Sequence, residues 1–178
     1  MTATLSNLNS LPADQARGLF AECCGSSKWV NEMIARRPFN SPDDVYSAAD
    51  EVADSLERED WLEAFAHHPR IGEQKGAKAQ GERGSSWSAK EQSGIADAHE
   101  ALLVELAAAN REYERRFGYI YIVCATGKTA EEMLKLLRER LGNDADKELR
   151  VAAGEQRKIT RLRLEKLLET ENGAGARR

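Results

Sequence analysis

Apolar positions recur along this chain every three or four residues, and the breaks between them fall at residues that start or stop helices. A first helix is predicted from Pro12 to Cys24, with Ser10 able to cap it, Pro12 tolerated in its first turn and Gly25 to stop it. A second runs from Lys28 to Arg37, between Ser27 as cap and Pro38 as terminator. A third opens at Pro42 after Ser41 and sets Val45, Ala48, Ala49, Val52 and Leu56 on one face. A short fourth, Trp61 to His67, ends where Pro69 disfavours helical geometry at His68. The capping-box pattern Ser88-x-x-Glu91 opens a long helix that reaches about Arg116. Its inner stripe is Ile95, Leu102, Leu103, Leu106 and Ala109, extended by Tyr113 and Phe117 before Gly118 breaks it. A second capping box, Thr129-x-x-Glu132, opens a helix to Arg140 that Gly142-Asn143 ends. The last element spans Asp144 to about Leu168, with Gly154 as the place for an interruption and Leu149, Val151, Ile159, Leu162 and Leu167 facing inward.

Two stretches break this rhythm. Residues 70–87 hold Gly72, Gly76, Gly81 and Gly84 among polar residues and read as a loop. A structureless loop of that length in a compact domain commonly covers a site or links units. Tyr119-Ile120-Tyr121-Ile122-Val123-Cys124-Ala125 has strand composition but no strand to pair with, so it is expected as a buried irregular or helical connector. The expected fold is all-α: a single-domain bundle of about seven to nine helices over residues 10–170, with loop 70–87, a flexible N-terminus at 1–9 and a disordered tail at 171–178.

Composition narrows the function classes. The 178 residues carry 31% charged and 41% hydrophobic side chains, an ordinary globular mixture. A formal net charge of -4 supplies no global basic field for nucleic acid or anionic lipid. The apolar runs are too short to span a membrane, and the N-terminus lacks the pattern of a signal peptide, so a cytoplasmic protein is expected. Cys23, Cys24 and Cys124 are too few and oddly placed for a disulfide scaffold, and read as buried thiols. With only three histidines and no close grouping of Cys and His, no structural zinc site is implied. Gly127-Lys128-Thr129 lacks the upstream glycine of a phosphate-binding loop, since position 122 is Ile, and Thr129 is explained as a helix cap. Asp97, His99 and Glu100 show no metalloprotease pattern; His99 reads as an edge residue.

What remains is the break His67-His68-Pro69-Arg70-Ile71-Gly72 and the acidic residue that follows it. Histidine exchanges protons near neutral pH, and a carboxylate beside it would fix its orientation and raise its proton affinity. Glu91 has two roles open to it: the N3 member of the capping box, or the partner of His68. Arg163 alone reads as a surface residue; turned inward it could hold a carboxylate with two hydrogen bonds.

His68-Pro69, Ser88-x-x-Glu91-Gln92, Asn110-x-x-Tyr113, Phe117-Gly118-Tyr119-x-Tyr121-Ile122-Val123-Cys124-Ala125 and Ile159-x-x-x-Arg163-Leu164, in this order and spacing, closely resemble the OHCU decarboxylase family. OHCU is 2-oxo-4-hydroxy-4-carboxy-5-ureidoimidazoline, the last unstable intermediate between urate and allantoin. The resemblance covers roughly residues 10–170, and its specificity lies in the ensemble of motifs. It implies an all-helical, usually homodimeric carboxy-lyase that forms S-allantoin without metal or organic cofactor, coupled in function to urate oxidase and hydroxyisourate hydrolase. It implies His68 as the catalytic histidine, Glu91 as its acidic partner and Arg163 as the substrate-binding arginine. Pro69, Ser88 and Gln92 match pocket positions, and the backbone of Ile122, Val123, Cys124 and Ala125 matches the segment that contacts the ring.

One departure is visible. Many relatives continue the His-Pro pair with an acidic residue and Leu, where this chain has Arg70-Ile71-Gly72, as in a bacterial branch. Two rival classes stand beside the decarboxylase. One is a hydrolase or isomerase acting on a related ureido compound with the same His/Glu pair, which a substrate panel would reveal. The other is an inactive helical interaction module, which would bind a partner and be indifferent to His68→Asn.

Overall fold

The computed structural model describes residues 5–71 and 100–168. Among these the chain forms eight α-helices and no strand: α1 Leu5–Ser10, α2 Ala13–Cys23, α3 Ser27–Ala35, α4 Pro42–Asp54, α5 Arg58–Ala66, α6 Glu100–Phe117, α7 Ala130–Arg140 and α8 Ala145–Leu168. The all-helical expectation holds. Most of loop 70–87, the Ser88–Glu91 capping box, Gln92, Ile95, Asp97, His99 and the tail from 171 onward lie outside the described residues. No described helix is long and apolar enough to cross a membrane.

The described residues fall into two compact units, 5–61 with 157–168, and 62–71 with 100–156. In the first, α1 precedes the first helix that the pattern predicts, and Leu8 on it is fully buried. Ser10 therefore closes α1 instead of capping α2, whose N-cap position is held by Pro12. Arg37 Nη1 donates to the carbonyls of Leu8 and Leu11, each at 2.8 Å, satisfying acceptors at the end of α1. The α3 cap is Ser26, not Ser27: Ser26 Oγ accepts the Trp29 N–H, and the residue is completely buried. Ser41 caps α4 as expected, and Val45, Ala48, Ala49, Val52 and Leu56 are all buried. Phe20 meets Trp29 edge-on, while Trp29 Nε1 donates to Ala49 O at 3.2 Å.

In the second unit, Leu106, Ala109, Asn110, Tyr113 and Phe117 are the buried face of α6. Gly118 ends this helix in the left-handed region (φ 82°), its N–H donating to Glu114 O at 2.8 Å. Tyr119 to Ala125 then runs as a buried irregular connector, as its composition without a pairing strand predicts. Gly127 (φ 77°) makes the turn into α7, and Thr129 caps that helix in a complete capping box with Glu132. Gly127-Lys128-Thr129 is thus a turn and a cap.

Two helices depart from their predicted form. α5 begins at Arg58, a turn before Trp61, because the Asp60 carboxylate accepts the Glu57 N–H at 2.9 Å. α8 passes Gly154 without a break. Its buried positions are Glu148, Ala152, Gln156, Ile159, Thr160, Arg163, Leu164, Leu167 and Leu168, whereas Leu149, Val151 and Leu162 are only half-buried. The inward stripe is a proper helical one, but polar residues occupy much of it.

Candidate active site

α5 ends in a tightened turn: His67 N–H donates to Ala64 O at 3.3 Å and His68 N–H to Phe65 O at 3.0 Å. The two neighbouring rings then take different surroundings. His67 Nδ1 lies 3.0 Å from the Glu63 carbonyl, one turn back on its own helix. His68 Nε2 lies 2.7 Å from Oε1 of Gln156, a residue of α8 that is completely buried. His68 is therefore the one tied to a buried side chain.

The residues after His68 are pinned to α6. Pro69 is half-buried. Arg70 reaches both carboxylate oxygens of Glu114, at 2.6 and 3.0 Å, a two-pronged pair that fixes direction as well as distance. Asn110 Nδ2 donates more loosely, at 3.5 Å, to the carbonyl of buried Ile71. Arg70 and Ile71 are thus each tied to α6.

The connector is anchored from two helices. Arg140 Nη1 donates to Ile122 O at 2.7 Å, and the Cys124 N–H donates to Glu155 Oε2 at 2.7 Å. Lys128 Nζ closes the end by donating to Cys124 O at 2.7 Å. Ile122, Val123, Cys124 and Ala125 are all buried. Glu155 and Gln156 are consecutive, so a single turn of α8 holds both the Cys124 amide and the His68 ring.

A buried ion pair supports the connector. Arg140 Nε donates to Glu148 Oε1 at 2.8 Å, Asn143 Nδ2 donates to Glu148 Oε2 at 2.8 Å, and the Tyr113 hydroxyl also donates to Glu148. The Arg140 guanidinium lies over the Tyr121 ring, 4.7 Å from its centre. Burial works against the charge on Arg140, but its hydrogen bond to Glu148 and the adjoining charges outweigh that, and its proton affinity rises. Burial pushes the Tyr113 phenol far above its usual range, and the bond to Glu148 adds to this. Burial also raises Tyr121, partly opposed by Arg140.

Arg163 sits on the inward face of α8 in the first unit, buried, with Nη1 donating to Glu22 O at 3.1 Å. The surface reading of this residue is overturned: Arg163 is buried, and the acceptor of its Nη1 is a backbone carbonyl. Ser88, Glu91 and Gln92 lie outside the described residues. All three cysteines are buried thiols, as expected. Among the described residues no three His, Cys, Asp or Glu side chains are grouped so as to hold a metal ion.

Residues 9–165 match the family model for OHCU decarboxylase. The chain belongs to the OHCU decarboxylase family. It is 39% identical over 145 residues to the uric acid degradation bifunctional protein TTL of Arabidopsis thaliana, a match covering 82% of this chain and 45% of that protein. It is 31% identical over 138 residues to the 2-oxo-4-hydroxy-4-carboxy-5-ureidoimidazoline decarboxylase of Amia calva, covering 75% of each. Among solved structures it resembles an OHCU decarboxylase crystallised in the presence of (S)-allantoin, with a TM-score of 0.73 and 36% identity over 85% of this chain and 98% of that one. The chain spans between a third and just under a half of the length of the bifunctional relatives it matches.

The geometry shows what sequence reasoning misses. Gln156, Glu155, Arg140 and Glu148 are absent from any motif-based list, yet they hold His68 and the connector. For Glu148 and Gln156 the signal is the spacing of Glu148, Ala152, Gln156 and Thr160, which is helical only when polar residues are admitted to the inner face.

Proposed function

We propose that this chain decarboxylates OHCU to S-allantoin in urate breakdown, as a carboxy-lyase that uses no metal or organic cofactor. The observation that carries this reading is the family match across residues 9–165. The local geometry supports His68 as the proton-handling group, because its ring is oriented by a buried side chain.

The substrate is its own electron sink. The bond from the ring carbon to the carboxylate breaks and carbon dioxide leaves; its electron pair forms a double bond to the ureido-bearing carbon, and the pair of the former carbon–nitrogen double bond goes to the ring nitrogen, which takes up a proton. The hydroxyl on the former carboxyl-bearing carbon then loses its proton as a carbonyl forms. A proton adds to one face of the carbon that bears the ureido group, and that choice of face sets the hand of allantoin. In this scheme His68 manages the proton of the substrate hydroxyl or carboxyl, and Glu91 orients His68. Arg163 binds the substrate's anionic part. Pro69, Ser88, Gln92 and the connector backbone at Ile122 to Ala125 line the pocket and exclude water from the reacting carbon. The enzyme is proposed to be a cytoplasmic homodimer that acts after urate oxidase and hydroxyisourate hydrolase.

The test generates OHCU in place from urate with those two enzymes and follows carbon dioxide release. The wild-type protein should accelerate release above the spontaneous rate. His68→Asn should stay folded, as a melting curve recorded beside the rate will show, and lose a factor on the order of 10²–10⁴, the range of a positioned acid/base group. Full activity in His68→Asn would contradict the assignment.

A further inference from the structure

We infer that Gln156 is a positioning residue for His68: its side-chain oxygen holds the imidazole as the Nε2–H tautomer and leaves Nδ1 as the nitrogen that gains and loses the proton. The inference deepens the proposed role of His68 and rests on it for its catalytic consequence. An amide oxygen only accepts hydrogen bonds, so the ring nitrogen 2.7 Å from Gln156 Oε1 carries a hydrogen. Gln156 is completely buried, so water does not compete for that oxygen. Both partners also stand on fixed backbone. Gln156 lies in the middle of α8, and the preceding residue, Glu155, is bonded to the Cys124 amide. His68 is held by its N–H bond to Phe65 O, by the restriction that Pro69 imposes, and by the Arg70–Glu114 pair two residues on.

The choice of glutamine has a chemical meaning. A carboxylate facing Nε2 would orient the ring and also favour its charged form. The neutral amide orients the ring and leaves its proton affinity to whatever faces Nδ1.

Two-bond proton–nitrogen correlation spectra of the ¹⁵N-labelled full chain report imidazole tautomers without any substrate. His68 is assigned among the three histidines by its loss in His68→Asn. Above the pH at which His68 titrates, the wild-type ring should show the Nε2–H pattern. Gln156→Met, of similar length but with no acceptor oxygen, should lose that preference, and Gln156→Glu should retain it. In turnover, Gln156→Met should lower kcat by roughly ten- to a hundredfold, the scale seen for partners that orient a working histidine, while KM holds. A wild-type His68 in the Nδ1–H form, or an unchanged tautomer in Gln156→Met, would overturn the inference. Should Gln156→Met not fold, the wild-type and Gln156→Glu spectra decide it. The spectra stand apart from the reaction: the tautomer can be right in a protein that fails to decarboxylate OHCU, and wrong in one that succeeds.

Discussion

Glutamate, glutamine and arginine on the inner face of α8 are the residues that distinguish this interior from a plain apolar core. Each is held by a specific partner, and removing one partner exposes the cost of burying the other. Glu148→Ala would leave the Arg140 guanidinium buried without its carboxylate, so it should destabilise the fold by about 3–5 kcal/mol, measured by chemical denaturation. A change within 1 kcal/mol would mean that the pair is already solvated. The phenols of Tyr113 and Tyr121 give a second check. Both have folded-state pKa values raised above the ordinary 10.0, so the folded state keeps protons that the unfolded chain gives up. Their contribution is complete below pH 10 and is lost as the pH rises beyond it. Absorbance titration should therefore find these two tyrosines ionising only as the protein unfolds in alkali; ionisation of both near pH 10 in the folded state would contradict their burial. At this scale His68 was legible because a proline restricts it and ends the helix. Gln156 was not, since a glutamine in a charged helix looks like any solvent-facing position until the face is known.

Helix starts and stops are written in short-range chemistry, and these were the most legible parts of the chain. Ser41 and Thr129 cap the helices they were expected to cap, through side-chain bonds to backbone N–H groups three residues on. Thr129→Ala should cost about 1 kcal/mol by thermal or chemical denaturation, as loss of an N-cap does elsewhere. No measurable loss would show that the α7 start is held by packing alone. Where the reading slipped, a competing local interaction won. Ser26 and Ser27 are equivalent by type, and only the backbone geometry selects Ser26. Gly154 weakens a helix by its freedom, yet α8 continues because buried contacts on both sides hold it. The connector from Tyr119 to Ala125 has strand composition for a reason unrelated to sheets: its bulky side chains are buried while its polar backbone is met by Arg140, Glu155 and Lys128.

At the scale of the whole chain, the all-helical class followed from periodicity, and the family followed from an ordered set of motifs none of which is decisive alone. The family model now covers residues 9–165. Pairings between distant residues were beyond the sequence. His68 and Gln156 are 88 positions apart, and Cys124 and Glu155 are 31 apart; nothing local marks either contact. The central claim is that this chain converts OHCU to one hand of allantoin. Circular dichroism of urate oxidised by urate oxidase and hydroxyisourate hydrolase measures this directly, because spontaneous decay forms the product without control of its hand. Adding the protein should bring a rapid and lasting S-allantoin signal in place of slow conversion to a product with no net optical activity. Identical progress curves with and without the protein, both ending in product without optical activity, would contradict the account.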